Sequence, residues 1–139
     1  MVDRVTPETR SKTMRAIRSK DTKPELAVRR LVHSMGYRYR LHRRDLPGSP
    51  DLVFPGRRKV LFVHGCFWHG HPDPECPRSH RPKSNRKYWE PKLRRNRQRD
   101  EENRARLMAL EWEVLVIWEC ETRDLDRVAK TVRRFLDPR

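Results

Sequence analysis

Residues 50–69 read PDLVFPGRRKVLFVHGCFWH and contain two short apolar runs, Leu52-Val53-Phe54 and Val60-Leu61-Phe62-Val63. Pro55-Gly56 lies between the runs and is typical of a hairpin turn, so the stretch predicts two paired strands. Asp51 stands directly before the first run, and two histidines follow the second. The sequence therefore predicts a small sheet with a candidate site at one of its ends.

Helical patterns flank this hairpin on both sides. Upstream, Thr22 and Glu25 have the spacing of a capping box, apolar residues then recur at helical intervals, and Gly36 can end the helix. Downstream, the pattern predicts a long basic helix over residues 87–110 and an amphipathic terminal helix over residues 125–135. These helices can cover the faces of a sheet.

Two more extended segments complete the predicted sheet. Residues 37–41 alternate between apolar residues and Arg, and residues 114–118 form an unbroken apolar run expected of a strand buried on both faces. A short mixed sheet flanked by helices is an α/β fold, and the length suits a single domain over residues 21–139. Residues 1–20 form a basic, largely polar segment, which we expect to contact DNA.

The charge of the chain indicates its partner. Lys and Arg number 34 against 19 acidic residues, which gives a formal net charge of +15. A surplus of this size favours binding to a polyanion such as nucleic acid. The alternatives are a merely basic soluble protein and a ribosomal protein, and nucleic-acid binding is favoured over both because aromatic residues and a metal-type cluster lie within the basic region.

The composition also predicts where the protein works. The sequence has no apolar run of 18 residues and no signal-peptide-like start, so we expect a cytoplasmic, nucleoid-associated protein without membrane contact. Three cysteines are an odd number, which argues against a closed disulfide framework. A reducing cytosol leaves such thiols free to bind metal.

A zinc-type cluster follows the hairpin. Cys66, His71 and Cys76 lie within eleven residues, and Cys120 follows the apolar run near the C-terminus. Three thiolates and one imidazole are a common tetrahedral set for Zn²⁺, and a site with four protein ligands is structural. The alternative is that Cys66 and Cys120 are ordinary buried thiols and His71 is a loop residue.

Four residues are candidates for phosphodiester chemistry. Asp51 can offer hard oxygen ligands to Mg²⁺, and His64 or His69 can take a proton from water. Asp51 could instead be a turn residue, and either histidine a metal ligand or a solvated side chain. The position of Glu25 fits a helix cap, although a carboxylate there can also orient an imidazole or a hydrated metal.

Aromatic residues lie among the basic ones. Phe67-Trp68 occupies a loop flanked by Gly, His and Cys, and Tyr88-Trp89 begins the long basic helix. Apolar side chains can wedge between base pairs, and the cost of unstacking is lower at a mismatch. Tyr88 and Trp89 could equally belong to the core.

Four segments, in this order, resemble the very-short-patch-repair (Vsr) endonucleases. They are TRSKTMRAI (residues 9–17), LPGSPD (46–51), VHGCFWH (63–69) and WEVLVIWEC (112–120). The resemblance implies a restriction-endonuclease-like (PD-(D/E)xK-type) core and nicking of one strand 5′ to the T of a T·G mismatch left by deamination of 5-methylcytosine. It also implies a monomer that acts on double-stranded DNA, with a MutL-type repair protein as a possible partner.

Carried over by position, the resemblance gives each candidate a role. Asp51 and the main-chain carbonyl of Val63 would bind a catalytic Mg²⁺, His69 would be the general base, and His64 and Glu25 would support the metal and the phosphate. A structural Zn²⁺ would be bound by Cys66, His71, Cys76 and Cys120. The DNA-binding residues would be Lys12, Met14, Arg15, Phe67, Trp68, Trp89, Arg94 and Arg95.

The chain departs from the family pattern at three points. Val63 stands where the family often has Thr, which suits a carbonyl ligand but removes a hydroxyl. The loop from His71 to Cys76 is longer than in some relatives. The second acid and Lys that commonly follow the first acid of nucleases are absent, which makes His69 more necessary as a base. The alternatives are a nickase of broader mismatch range, a restriction-type endonuclease and a non-catalytic zinc-stabilised DNA-binding protein.

Overall fold

The computed structural model describes residues 22–73, 76 and 86–138. The predicted N-terminal segment, with Lys12, Met14 and Arg15, lies outside these residues. The elements in the described part are α1 (Lys23–Ser34), β1 (Arg40–Leu41), β2 (Leu52–Phe54), β3 (Lys59–His64), α2 (Arg86–Ala109), β4 (Glu113–Trp118) and α3 (Leu125–Leu136). Short 3₁₀ turns at Pro55–Arg57 and Glu119–Arg123 follow β2 and β4.

The strands described form one mixed sheet in the order β1-β2-β3-β4. The predicted hairpin is present, since β2 and β3 pair antiparallel with Val53 opposite Val60. β3 and β4 run parallel, and α2 lies between them in the chain, as a parallel connection requires. The carboxyl ends of β3 and β4, at His64 and Trp118, therefore meet at one edge of the sheet.

Alternate residues of the strands face two separate apolar clusters. Leu52, Phe54 and Leu61 pack with α1 and α3 on one face, whereas Val53 and Val60 pack on the other. The second cluster includes Leu107 near the end of α2 and Trp112 after it. The predicted α/β arrangement, a short mixed sheet with helices on its faces, is thus confirmed.

Two predicted strands differ from the structure. The extended segment 37–41 pairs only at Arg40–Leu41. β4 has the predicted position, but the prediction that it is buried on both faces is wrong, because Ile117 alone among its residues is fully buried. The half-buried Val114 and Val116 line an open cleft on one face, and β4 is last in the order of the strands described.

The long basic helix and the terminal helix lie close to their predicted bounds. α3 buries Val128 and Val132, two of the apolar residues that predicted it, and also Leu136, one residue beyond the predicted end. Among the helices within the described part of the chain, none combines the length and the apolar character needed to cross a membrane.

Candidate active site and metal centre

A cleft of about 820 Å³ opens between the sheet and α2. Its walls include Asp51, His64 and His69 among the predicted residues, together with His42 and Asp100, which sequence reasoning missed. The predicted metal ligand Asp51 and the predicted base His69 therefore share one cleft. The hairpin brings Asp51 there from before β2, and the loop after β3 brings His69.

Asp51 is held by the backbone of the neighbouring strand. The Val63 N–H donates to Asp51 Oδ2 at 2.7 Å, and the Asp51 side chain is only 13% exposed. Burial raises the pKa of Asp51 to about 8, helped by the Glu25 carboxylate and opposed by the Val63 N–H. Such a carboxylate favours a group that supplies positive charge.

Glu25 joins Asp51 from the first turn of α1. The predicted helix cap is confirmed in part, because the Glu25 N–H donates to Thr22 Oγ1 at 3.4 Å. The Glu25 side chain is 2% exposed, and its Oε2 lies 2.7 Å from His42 Nε2 and 3.1 Å from Arg29 Nη1. Glu25 therefore contacts an imidazole, that of His42, which is one of the alternatives that the sequence left open for this carboxylate.

A second polar group forms between the loop after β3 and α2. His69 Nδ1 lies 2.6 Å from Asp100 Oδ2, and the rings of His64 and His69 stack with centroids 3.9 Å apart. Burial, with the neighbouring His69, lowers the pKa of His64 to about 3, so this ring stays neutral at physiological pH. Asp100 fixes one nitrogen of His69, and His64 packs against its face.

The loop that carries His69 packs tightly against α2. A Cβ at Gly70, whose φ is +60°, would lie 2.7 Å from Arg97 Cδ, so glycine allows the close approach. The Asn96 side chain donates to the Trp68 carbonyl oxygen at 2.9 Å. These contacts fix the loop relative to Asp100 on the same helix.

The predicted zinc residues come together beside this loop. Ligand atoms of Cys66, His71, Cys76 and Cys120 all lie within 4.8 Å of one another, and Cys120 Sγ is 3.5 Å from His71 Nδ1. Burial raises the pKa of Cys66 to about 12 and that of Cys120 above its usual range. Three soft donors and an imidazole at these separations fit a tetrahedral Zn²⁺, which would stabilise the thiolates. The longer loop does not keep Cys76 from the group.

An aromatic group lies at the junction of this loop and α2. Phe67, Trp68 and Trp89 contact one another with ring centroids 5.0–5.5 Å apart. All three are half-buried, and Tyr88 beside them is 54% exposed. Tyr88 therefore lies outside the core, and Trp89 belongs to neither of the two apolar clusters described above. Arg94 and Arg95, between one and two turns further along α2 than Trp89, are exposed.

Comparison with known proteins identifies the family. The family model described as DNA mismatch endonuclease Vsr matches residues 2–76, more than half of the chain. The chain belongs to the Vsr family. Among Vsr relatives, it is 55% identical over 138 residues to the Type II nicking enzyme V.XorIIP of Xanthomonas oryzae pv. oryzae, covering 99% of both chains. It is 39% identical over 120 residues to the DNA mismatch endonuclease Vsr of Escherichia coli K12, covering 86% of this chain and 75% of that one.

The fold has a solved counterpart as well. The catalytic domain of the homing endonuclease I-Bth0305I superposes with a TM-score of 0.56 at 19% sequence identity, covering 83% of this chain and 94% of that one. At this identity the likeness concerns the fold alone.

The two residues that sequence reasoning missed in this Vsr-family chain lacked a distinguishing signal. Asp100 is one of three consecutive acids in a charged helix, and only the packing of α2 decides which of them faces His69. His42 follows a two-residue strand in a basic stretch, with no motif around it. Both were detectable only through contacts between residues distant in sequence.

Proposed function

We propose that this protein is a Mg²⁺-dependent DNA endonuclease that nicks one strand 5′ to the T of a T·G mismatch. The observation that carries the proposal is the meeting of Asp51 and His69 in one cleft of a Vsr-family chain. The names of its relatives, a DNA mismatch endonuclease and a Type II nicking enzyme, support the substrate and the single-strand cut.

The donor set around Asp51 fits a hard divalent cation. Asp51 and the main-chain carbonyl of Val63 are the two predicted ligands, and Glu25 adds a further carboxylate beside Asp51; such oxygens are what Mg²⁺ prefers. A bound Mg²⁺ would offset the charge of the scissile phosphate and lower the pKa of a coordinated water. Val in place of Thr at position 63 leaves a carbonyl role intact.

His69 is equipped to act as the general base. Its Nδ1 is occupied by Asp100, so Nε2 is the nitrogen left to accept a proton from the attacking water. Asp100 stabilises the imidazolium that results, which makes it a positioning residue. His64 stays neutral and keeps the His69 ring in place through the stacked contact.

The walls of the cleft and the aromatic group suit a distorted duplex. Arg44, Arg97 and Arg104 line the cleft and can attract the phosphate backbone. Phe67, Trp68 and Trp89 form a half-buried apolar group that can enter a base step, and a mismatched step costs less to open. We assign Arg94 and Arg95 to phosphate contacts beside it.

Several further assignments belong to the same proposal. The cysteine-histidine group would hold a structural Zn²⁺ because four protein ligands leave no position for a reacting water. The restriction-endonuclease-like core, the monomeric state and the MutL-type partner follow from the resemblance. The N-terminal DNA-contacting segment and the cytoplasmic location were predicted from the composition, and the proposed DNA substrate agrees with both.

Cleavage of labelled duplexes tests the function. T·G and matched T·A duplexes are incubated with Mg²⁺ and wild-type protein, Asp51→Ala, or Asp126→Ala, which removes an exposed acid on α3 as a matched control. We expect nicking of the T strand of the T·G duplex alone, at least about a hundredfold slower in Asp51→Ala because a metal ligand contributes several kcal/mol. Cuts in both strands would indicate a restriction-type enzyme, and nicking at other mismatches would indicate a broader range. Binding without any cleavage would indicate a DNA-binding protein.

A further inference from the structure

His42 has no role in the proposed reaction, yet its imidazole lies between two carboxylates. Nε2 is 2.7 Å from Glu25 Oε2 and 4.0 Å from Asp51 Oδ1. The three side chains come from α1, from the segment after β1 and from the residue before β2, and a ligand atom of each lies within 4.8 Å of the others. Three separate parts of the chain thus converge on one point.

The backbone holds His42 at this point in a conformation that a histidine rarely adopts. Its φ is +47°, in the left-handed region, and its N–H donates to the Asp51 main-chain oxygen at 3.2 Å. Gly or Asn is more usual at such a φ. The backbone of His42 is therefore bound to the same residue that its side chain approaches, which fixes the imidazole relative to Asp51.

The environment is more enclosed than that of a surface ion pair. The side chains of Glu25, Asp51 and His42 are 2%, 13% and 18% exposed, respectively. A simple salt bridge needs one carboxylate, whereas here a single nitrogen faces two. A cation held by all three groups would replace the direct contact between Nε2 and Glu25 Oε2.

The donor types indicate which cation would fit. Mg²⁺ and Ca²⁺ take oxygen ligands almost exclusively, whereas Mn²⁺ also prefers oxygen but, as the first divalent ion of the transition-row affinity order, accepts an imidazole nitrogen more readily than Mg²⁺ does. We propose that His42 is a third side-chain ligand of the metal site formed with Glu25 and Asp51, and that its nitrogen biases this site toward Mn²⁺ relative to Mg²⁺. The inference rests on the proposed function only in placing the catalytic ion at Asp51, because metal binding is measurable without DNA.

A competing group lies in the same cleft and must be separated in the test. His64, His69 and Asp100 also present ligand atoms within 4.8 Å of one another. His69 Nδ1 is engaged by Asp100, and the His64 and His69 rings are stacked nearly parallel, at 6°. Two parallel stacked rings do not direct their nitrogens at one common ion. We therefore favour the Glu25–His42–Asp51 group as the site at which a histidine nitrogen binds the metal.

The experiment is a Mn²⁺ titration of the zinc-loaded protein without DNA, followed by electron paramagnetic resonance. Continuous-wave spectra give the free Mn²⁺, and pulsed spectra report ¹⁴N coupling from a coordinated histidine. His42→Gln is compared with His33→Gln, the same change at an exposed position on α1, and with His69→Gln. His42→Asn, which tolerates a left-handed φ, serves if the Gln variant loses stability or zinc.

We expect ¹⁴N coupling in wild type, His33→Gln and His69→Gln, and its loss in both His42 variants. The dissociation constant for Mn²⁺ should rise at least about tenfold in His42→Gln. The dissociation constant for Mg²⁺, measured by its competition with Mn²⁺, should change less than about twofold. Coupling that persists without His42, or disappears only in His69→Gln, would overturn the proposal, as would wild-type protein that binds no Mn²⁺. If His42 gives ¹⁴N coupling in a protein that nicks no duplex, the metal ligand is supported and the proposed function is refuted. If the protein nicks the T·G duplex without that coupling, the proposed function is supported and the metal ligand is refuted.

Discussion

Asp51 suits a metal site but lowers the stability of the folded protein. Its carboxylate is buried beside that of Glu25, and burial raises its pKa to about 8. A cation bound there would favour the charged form, but without that ion the charge of Asp51 develops, as the pH approaches 8, in a poorly hydrated place beside Glu25. The residue is therefore a source of instability at high pH when the site is empty.

This conflict predicts that Asp51→Asn stabilises the protein in buffer without added divalent ions. The folded pKa is raised, so between about pH 4 and pH 8 the folded state holds a proton that the unfolded chain releases, and the stability contributed by Asp51 declines as the pH rises. Asn removes that decline, with a gain on the order of 2 kcal/mol at pH 8 and much less at pH 5. Urea unfolding at both pH values measures it.

The matched control is Asp126→Asn, at an exposed acid in the first turn of α3. We expect it to change the free energy of unfolding by less than about 0.5 kcal/mol at either pH. A gain at Asp51 that is equal at pH 5 and pH 8 would contradict the assignment of its cause to ionisation.

Residue types and motif positions were enough to name Asp51, His64, His69 and Glu25 as candidates, and the resemblance to the Vsr endonucleases implied that they serve one site. They were not enough to find Asp100 or His42. The rotation of α2 about its axis decides that Asp100 faces His69, and the two-residue strand β1 places His42 beside Glu25. The capping position of Glu25 was visible in the sequence, whereas its contact with His42 depends on the packing of α1 against the sheet.

At the scale of elements, the site depends on how the loop after β3 packs on α2. Periodicity and a Pro-Gly turn predicted the hairpin and the helices, because these patterns are local. The length of β1 and the exposure of β4 were not predictable in this way, since they depend on which strands pair and on the cleft beside β4. The same packing forms the aromatic group, because Phe67 and Trp68 belong to the loop and Trp89 to α2.

The aromatic group predicts a specific defect in mismatch selection. Phe67→Ala combined with Trp68→Ala should reduce the ratio of T·G to T·A duplex affinity at least about tenfold, because a base–aromatic contact is worth about 1–3 kcal/mol. General DNA affinity and its salt dependence should change less, since they follow phosphate contacts. Tyr88→Ala removes an exposed aromatic residue at the start of α2 and is the control. Equal losses on both duplexes would rule out a wedge.

At the scale of the whole molecule, the cysteine-histidine group joins segments that are far apart in the chain. Cys66 follows β3 and Cys120 follows β4, and the parallel pairing of these strands places both at the same edge of the sheet. The Cys120 N–H also donates to Cys66 Sγ at 3.4 Å. His69 lies in the loop between Cys66 and His71, so this group, together with the contacts of the loop with α2, restricts where the proposed base lies.

This arrangement predicts that Cys120→Ser lowers bound zinc and stability together. Wild-type protein should hold one zinc ion per chain, and the variant less than half of that, with a loss of several kcal/mol in the free energy of unfolding because binding energy of a structural zinc is folding energy. Metal analysis and urea unfolding measure both quantities. Thr122→Ser, in the same 3₁₀ turn, keeps its hydroxyl contact with the Glu119 oxygen and should change neither. Full zinc content with an unchanged unfolding midpoint in Cys120→Ser would show that the three thiols are packed without a metal, and the position of His69 would then have to be explained by the contacts of its loop with α2 alone.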